Sequence, residues 1–191
     1  MTVAESCKIA NLLRQDALRW QALGLVEVLA LPEGCIGAGF VRNLVWDHFH
    51  GRRSDCRDAD IDVLYFDRTH AGADRDADLE AGLRARAPQF RWSVSNQARM
   101  HRRNGDAPYT SVEDAMRHWP ETATAVAALR AGTACRILAP FGVDDLMGMI
   151  LRPTSASPHK LHAFNARLDS KGWRCRWPDV RLACPPAPPS P

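Results

Sequence analysis

A strand that runs through a glycine turn directly into a helix leaves a chain few ways to fold, and residues 35–50 have that form. Cys35-Ile36 is apolar, Gly37-Ala38-Gly39 permits a tight turn, and Phe40 to His50 contains neither Gly nor Pro. Helical spacing puts Phe40, Val41, Leu44 and Val45 on a face that should be buried. Arg42, Asn43, Trp46, Asp47 and His50 fall on the opposite face. Such a turn lets a backbone approach a ligand, and the amides of the helix's first turn suit an anion such as phosphate. Packing alone also accounts for glycines there. Arg42 and Asn43 would stand in the first turn beside them.

After a charged loop at residues 51–59 comes Asp60-Ile61-Asp62-Val63-Leu64-Tyr65-Phe66. In a strand Ile61, Val63 and Tyr65 project to one face, and Asp60 and Asp62 project together from the other. Two neighbouring carboxylates repel, which is tolerable on a solvated edge or around a hard cation such as Mg²⁺ that takes carboxylate and phosphate oxygens. Charge is segregated downstream. Residues 55–80 hold nine acids against three arginines, and residues 84–105 hold six arginines and no acid, a juxtaposition that suits a metal-nucleotide ligand. Arg99, Arg102 and Arg103, with His101, form a cluster able to clamp phosphate bidentately or simply to coat a solvated helix.

Around these motifs the pattern predicts helix over residues 3–29, as one segment or two, helix over 74–86 and strand over 90–96. Ser111 with Asp114, or Thr110 with Glu113, offers a capping box for a short helix ending near Trp119. Pro120 then suits the start of an alanine-rich helix stopped by Gly132. A strand over 135–138 and helices over 143–151 and 159–169 complete the order. The fold class is therefore α/β (α+β), a small mixed sheet with flanking helices. The organisation expected is an N-terminal helical segment over 1–34, a main domain over 35–182 and a disordered proline-rich tail over 183–191.

Composition limits what the chain can do. A formal charge of +3 over 191 residues is too weak to make the whole surface a polyanion binder, so no strong nucleic-acid signal is present and any electrostatic site must be local. The six cysteines lack C-x-x-C or zinc spacing, and no export signal or membrane-spanning stretch precedes them. A cytoplasmic chain with reduced thiols and no disulfide is expected.

Taken together, Gly37 to Asn43, Trp46-Asp47, His50-Gly51, Asp60 to Asp67, Trp92 to His101, Asn104 to Asp106, Pro108 to Ser111 and Trp119 to Thr124 resemble a small bacterial family of nucleotidyltransferase-like proteins. Leu138 to Gly142 and Asp144-Asp145 extend the likeness. The family is assigned to the polymerase-beta-like nucleotidyltransferase superfamily. The resemblance implies a nucleotidyltransferase-like fold in which Gly37 and Gly39 hold a triphosphate. It also implies that Asp60 and Asp62 bind Mg²⁺ or Mn²⁺ and are the catalytic pair. Arg42, Asn43, Asn96 and Arg99 are the further candidates for contacts to the nucleotide. The superfamily's third carboxylate normally lies on a later neighbouring strand, and here Arg91 to Asn96 offers Ser93, Ser95 and Asn96. Asn96 would stand in for it, or Asp47, Asp67 or Asp106 would supply the charge. Two readings follow: transfer of a nucleoside monophosphate from a nucleoside triphosphate to an unidentified hydroxyl acceptor, or a non-catalytic nucleotide-binding or regulatory module.

Overall fold

A computed structural model describes residues 3–185. Helices α1 (Val3–Gln15) and α2 (Ala17–Val28) are separated by Asp16, whose carboxylate accepts from the Arg19 amide as an N-cap. Strand β1 (Cys35–Gly37) enters α3 (Gly39–Phe49). Strand β2 (Asp60–Tyr65), helix α4 (Ala73–Arg86) and strand β3 (Arg91–Asn96) form a β-α-β unit, and its two strands pair in parallel. Helices α5 (Gln97–Asn104) and α6 (Val112–Arg117) follow, then the hairpin of β4 (Ala127–Ala131) and β5 (Ala134–Leu138). The five strands lie in the order β3-β2-β1-β4-β5, with every pair except β2–β3 antiparallel. The chain then runs through α7 (Asp144–Met147), β6 (Ile150–Leu151), α8 (Pro158–Lys171), α9 (Trp173–Arg176) and β7 (Arg181–Leu182), and β6 pairs with β7.

The two faces of β2 carry different loads. Ile61, Val63 and Tyr65 are fully buried in the main core beneath α1 to α4, where Ile9, Leu13, Leu23 and Trp46 also lie. On the opposite face Leu64 packs with Cys35, Val112, Met116, Ala125 and Ala127 in a second, smaller cluster, leaving Asp60 and Asp62 further along. Residues of α1 and α2 belong to the main core, so the N-terminal helical segment is packed as part of one body.

Three expectations are corrected. The alanine-rich run is strand β4, not a helix, because β1 needs a partner on its free side and Ala127 and Ala128 pair with Gly37 and Ile36. Burial of small side chains between sheet and helix outweighs alanine's helix propensity. Gly132, with φ +60°, therefore turns a two-residue hairpin instead of ending a helix. The expected helix over 143–151 shrinks to the single turn of α7, since Met149 adopts φ +53° and the chain turns into β6. Residues 183–185 are not a free tail at their start. The Ala183 amide donates to the Leu151 carbonyl, and the Cys184 carbonyl accepts from Arg152. The rest of the expected tail, 186–191, lies outside the described residues.

Candidate active site

The β1–β2 register brings the glycine turn and the aspartates together. Gly37 pairs with Asp62 across the antiparallel ladder, which sets their Cα atoms about 5 Å apart. The next residue, Ala38, has φ +58° and ψ −127°, a conformation L-residues rarely adopt, so the turn is strained where it meets the site. No side chain caps α3, and the amides of its first turn stay available to an anion. A Cβ on Gly37 would lie 2.8 Å from Leu64 Cδ1 and 3.1 Å from the Trp119 ring. The absence of a side chain there lets Trp119 close over the strand. Gly39 faces only ordinary contacts with Arg42 and Asn43.

Ala38, Asp62 and Thr124 line one cleft of about 430 Å³. Its walls come from Met100, Arg103 and Asn104 of α5, from His118, Trp119 and Pro120 after α6, and from His159, Lys160 and Arg167 of α8. Asp62 is half-buried, and its pKa is pushed up to about 6, first by burial and then by the Asp60 charge, against the pull of Arg167, Lys171 and Arg42. Asp60 is exposed, two residues before Asp62 on the same strand and 3.3 Å from Arg91 Nε. The pair fits a hard divalent cation. Both carboxylates share a face, one is held ionised at a cost that positive charge would relieve, and Mg²⁺ asks for only one or two carboxylates when phosphates supply the rest. Among the described residues no group of three or more His, Cys, Asp or Glu side chains converges on a metal position.

Arg42 is buried beside this cleft. It donates to Thr124 Oγ1 at 2.8 Å and to Asn43 Oδ1 at 2.9 Å, and stacks on Trp46 and Trp173 at 5.5 and 4.7 Å. Burial pushes its pKa down to about 10, which leaves it charged at neutral pH. Asn43 thus orients Arg42. The expected polar face of α3 is not solvated. Residues 40–47 are all buried, because Asp47 accepts from Trp177 Nε1 at 2.8 Å, Ser54 Oγ at 2.8 Å and Arg176 at 3.0 Å.

Asn96 and Arg99 are not brought to the cleft. Asn96 is fully buried and saturated: its Oδ1 accepts from the Ala98 and Asp67 amides, and its Nδ2 donates to the Asp67 and His70 carbonyls. It caps α5 and holds a loop. Arg99 pairs with buried Asp76, which also accepts from Tyr65 OH. The alternatives for a third carboxylate are equally engaged. Asp47 is pinned as above, and Asp67 binds Arg75, Thr69 and His70. Asp106 lies nearest the cleft, paired with its wall residues Lys160 at 3.0 Å and His118 at 3.5 Å. Beside Asp62 in the sheet stands Ser93. Lys160, Ala163 and Arg167 of α8 carry a signal legible in the sequence, since a spacing of three and then four places them on one helix face.

A mixed sheet carrying a turn, a pair of strand aspartates and a cation-walled cleft in this arrangement is a nucleotidyltransferase head-domain fold. The chain belongs to the nucleotidyltransferase family, whose model matches residues 24–182. No curated protein matches it. Its structure is similar to an NMR structure said to reveal a CCA-adding enzyme head domain, with TM-score 0.82, 28% identity, and coverage of 96% of this chain and 98% of that one. It is also similar in fold to a CCA-adding enzyme in complex with CTP, with TM-score 0.60, 15% identity and coverage of 91% and 42%. A tRNA-processing enzyme in an apo form gives TM-score 0.56, 16% identity and coverage of 88% and 44%. The chain spans less than half the length of these last two enzymes. Among the described residues no helix is long and apolar enough to cross a membrane.

Proposed function

We propose that the protein transfers a nucleoside monophosphate from a nucleoside triphosphate to a hydroxyl acceptor in the Asp62 cleft. The observation that carries this is the pairing of Gly37 with Asp62, which puts a half-buried carboxylate beside an uncapped helix N-terminus in a cleft walled by Arg103, Lys160 and Arg167. The first-turn amides of α3 and these cations would hold the triphosphate, and Arg42 adds fixed positive charge. The acceptor oxygen attacks the α-phosphorus as the bond to the bridging oxygen breaks and pyrophosphate leaves, while the hydroxyl proton passes to solvent or a nearby base. Asp60 and Asp62 would hold a divalent cation, Mg²⁺ or Mn²⁺, which supplies charge neutralisation for that in-line displacement. Trp119, Pro120 and Thr124 form a wall against which the acceptor or base can rest.

The absence of a carboxylate at Ser93, beside Asp62, favours a second reading, a module that binds nucleotide without turning it over. A panel of nucleoside triphosphates with Mg²⁺ or Mn²⁺, scored by thermal shift and by pyrophosphate release, separates the two. Binding with release supports transfer, binding without release supports the module, and no binding overturns both.

A further inference from the structure

The arginine cluster after β3 is divided by the fold. Arg103 reaches the Asp62 cleft, but Arg99, Arg102 and Arg103 together line a separate hollow of about 320 Å³, with Ala71, Ala98 and Met100 as the remaining walls. Met100 and Arg103 line both spaces, so the two adjoin across a shared wall. None of the residues lining the hollow is acidic. One arm of Arg99 is fixed on Asp76, while Arg102 and Arg103 are exposed and, among the described residues, paired with no carboxylate. Adjacent guanidiniums repel, and their planar forks match the oxygens of a phosphate better than those of any neutral group.

We infer that this hollow is a second anion site, which binds a phosphomonoester group of the acceptor while the nucleotide's own phosphates occupy the Asp62 cleft. Three points favour a single phosphate over a polyanion track. The hollow is small, the whole chain carries only +3, and the acid-rich stretch 55–80 precedes it in sequence. Naming the anion as the acceptor's rests on the transfer reading above, whereas the site itself does not.

The test therefore needs no turnover. Inorganic phosphate, glycerol 3-phosphate and glycerol are titrated into the full chain with and without saturating nucleoside triphosphate, and the arginine side-chain Nε resonances are followed by NMR. Phosphate and glycerol 3-phosphate, but not glycerol, should shift Arg99 and Arg102, which line the hollow and not the cleft, and should do so equally with nucleotide present. Arg102→Gln lies on an exposed helix position and keeps helix propensity. It should weaken that binding by about tenfold and leave the triphosphate-induced thermal shift unchanged. Displacement of phosphate by nucleotide would mean one anion site instead of two, and overturns the inference. So does an unchanged affinity in Arg102→Gln, or saturation only by a short single-stranded oligodeoxythymidine. If phosphate binds as expected while no triphosphate binds at all, the transfer reading fails and the anion site stands.

Discussion

Replacing Asp62 by Asn removes one of two neighbouring charges while keeping size and polarity. In the folded protein the Asp62 carboxyl titrates at about 6, compared with 3.8 for the free side chain, so it binds its proton more firmly folded than unfolded. Its stabilising contribution is fully present below about pH 4 and is lost as pH rises through about 6. At about 1.4 kcal/mol per tenfold change in proton affinity, the rise from 3.8 to about 6 gives an upper bound of about 3 kcal/mol for the burden of the ionised form at neutral pH. Asp62 borders an open cleft and stays partly hydrated, so about 1–2 kcal/mol is the expected effect. Urea unfolding followed by tryptophan fluorescence in EDTA should show Asp62→Asn more stable than wild type by that amount at pH 7.5. At pH 4 the two should agree within about 0.5 kcal/mol. With Mg²⁺ and a nucleoside triphosphate, wild type should gain thermal stability that the variant does not. A variant that is less stable at both pH values by the same amount would refute the reasoning, because it would mean that the carboxylate serves a structural partner.

Gly37→Ala should destabilise by about 1–3 kcal/mol in denaturant titration, since its Cβ would press on Leu64 and the Trp119 ring, whereas Gly39→Ala should stay within about 0.5 kcal/mol. Asn96→Ala should cost about 1–3 kcal/mol, measured the same way, because two part-buried amides and two carbonyls lose a partner that is itself fully buried; no loss at all would return Asn96 to the candidates for ligand contact. All six cysteines are free, and thiol titration of denatured protein should find six. In the native protein at pH 8, exposed Cys7, Cys175 and Cys184 should react first, with Cys35 and Cys56 reacting only on unfolding, since burial pushes their pKa values up to about 12 and about 11.

What the sequence revealed and what it hid follow from the range of the forces involved. The β1-turn-α3 order, the alternation in β2 and the Ser111–Asp114 cap depend on residues a few positions apart, and the structure has each of them. The nearness of the glycine turn to Asp62 also follows from the sequence reading, since a turn and a strand that serve one phosphate must converge, whereas the pairing of Gly37 itself with Asp62 is set by the β1–β2 register. Strand β4 was hidden because alanine is an intrinsic helix former, and only a neighbouring strand with a vacant edge makes it a strand. The burial of α3's polar side was hidden because Asp47 finds Trp177 at a separation of 130 residues. Asn96, at the end of β3, and Arg99, just after it, read as ligand contacts by their place, and their partners Asp67 and Asp76 lie in a segment that local pattern reads only as acidic.

Trp173 has one further consequence. Its ring lies beneath the guanidiniums of both Arg42, near the start of the sheet, and Arg167, from the penultimate helix. As the chain leaves the ribosome, the glycine turn and the aspartate strand are made first, and the plate that seats both cations follows 111 residues after Asp62. A nascent chain thus carries the acids of the cleft long before the arginines are fixed in place. The charge balance of the cleft is consequently set only once Trp173 has been made, so that a chain interrupted before it has the acids without the plate that seats their cations.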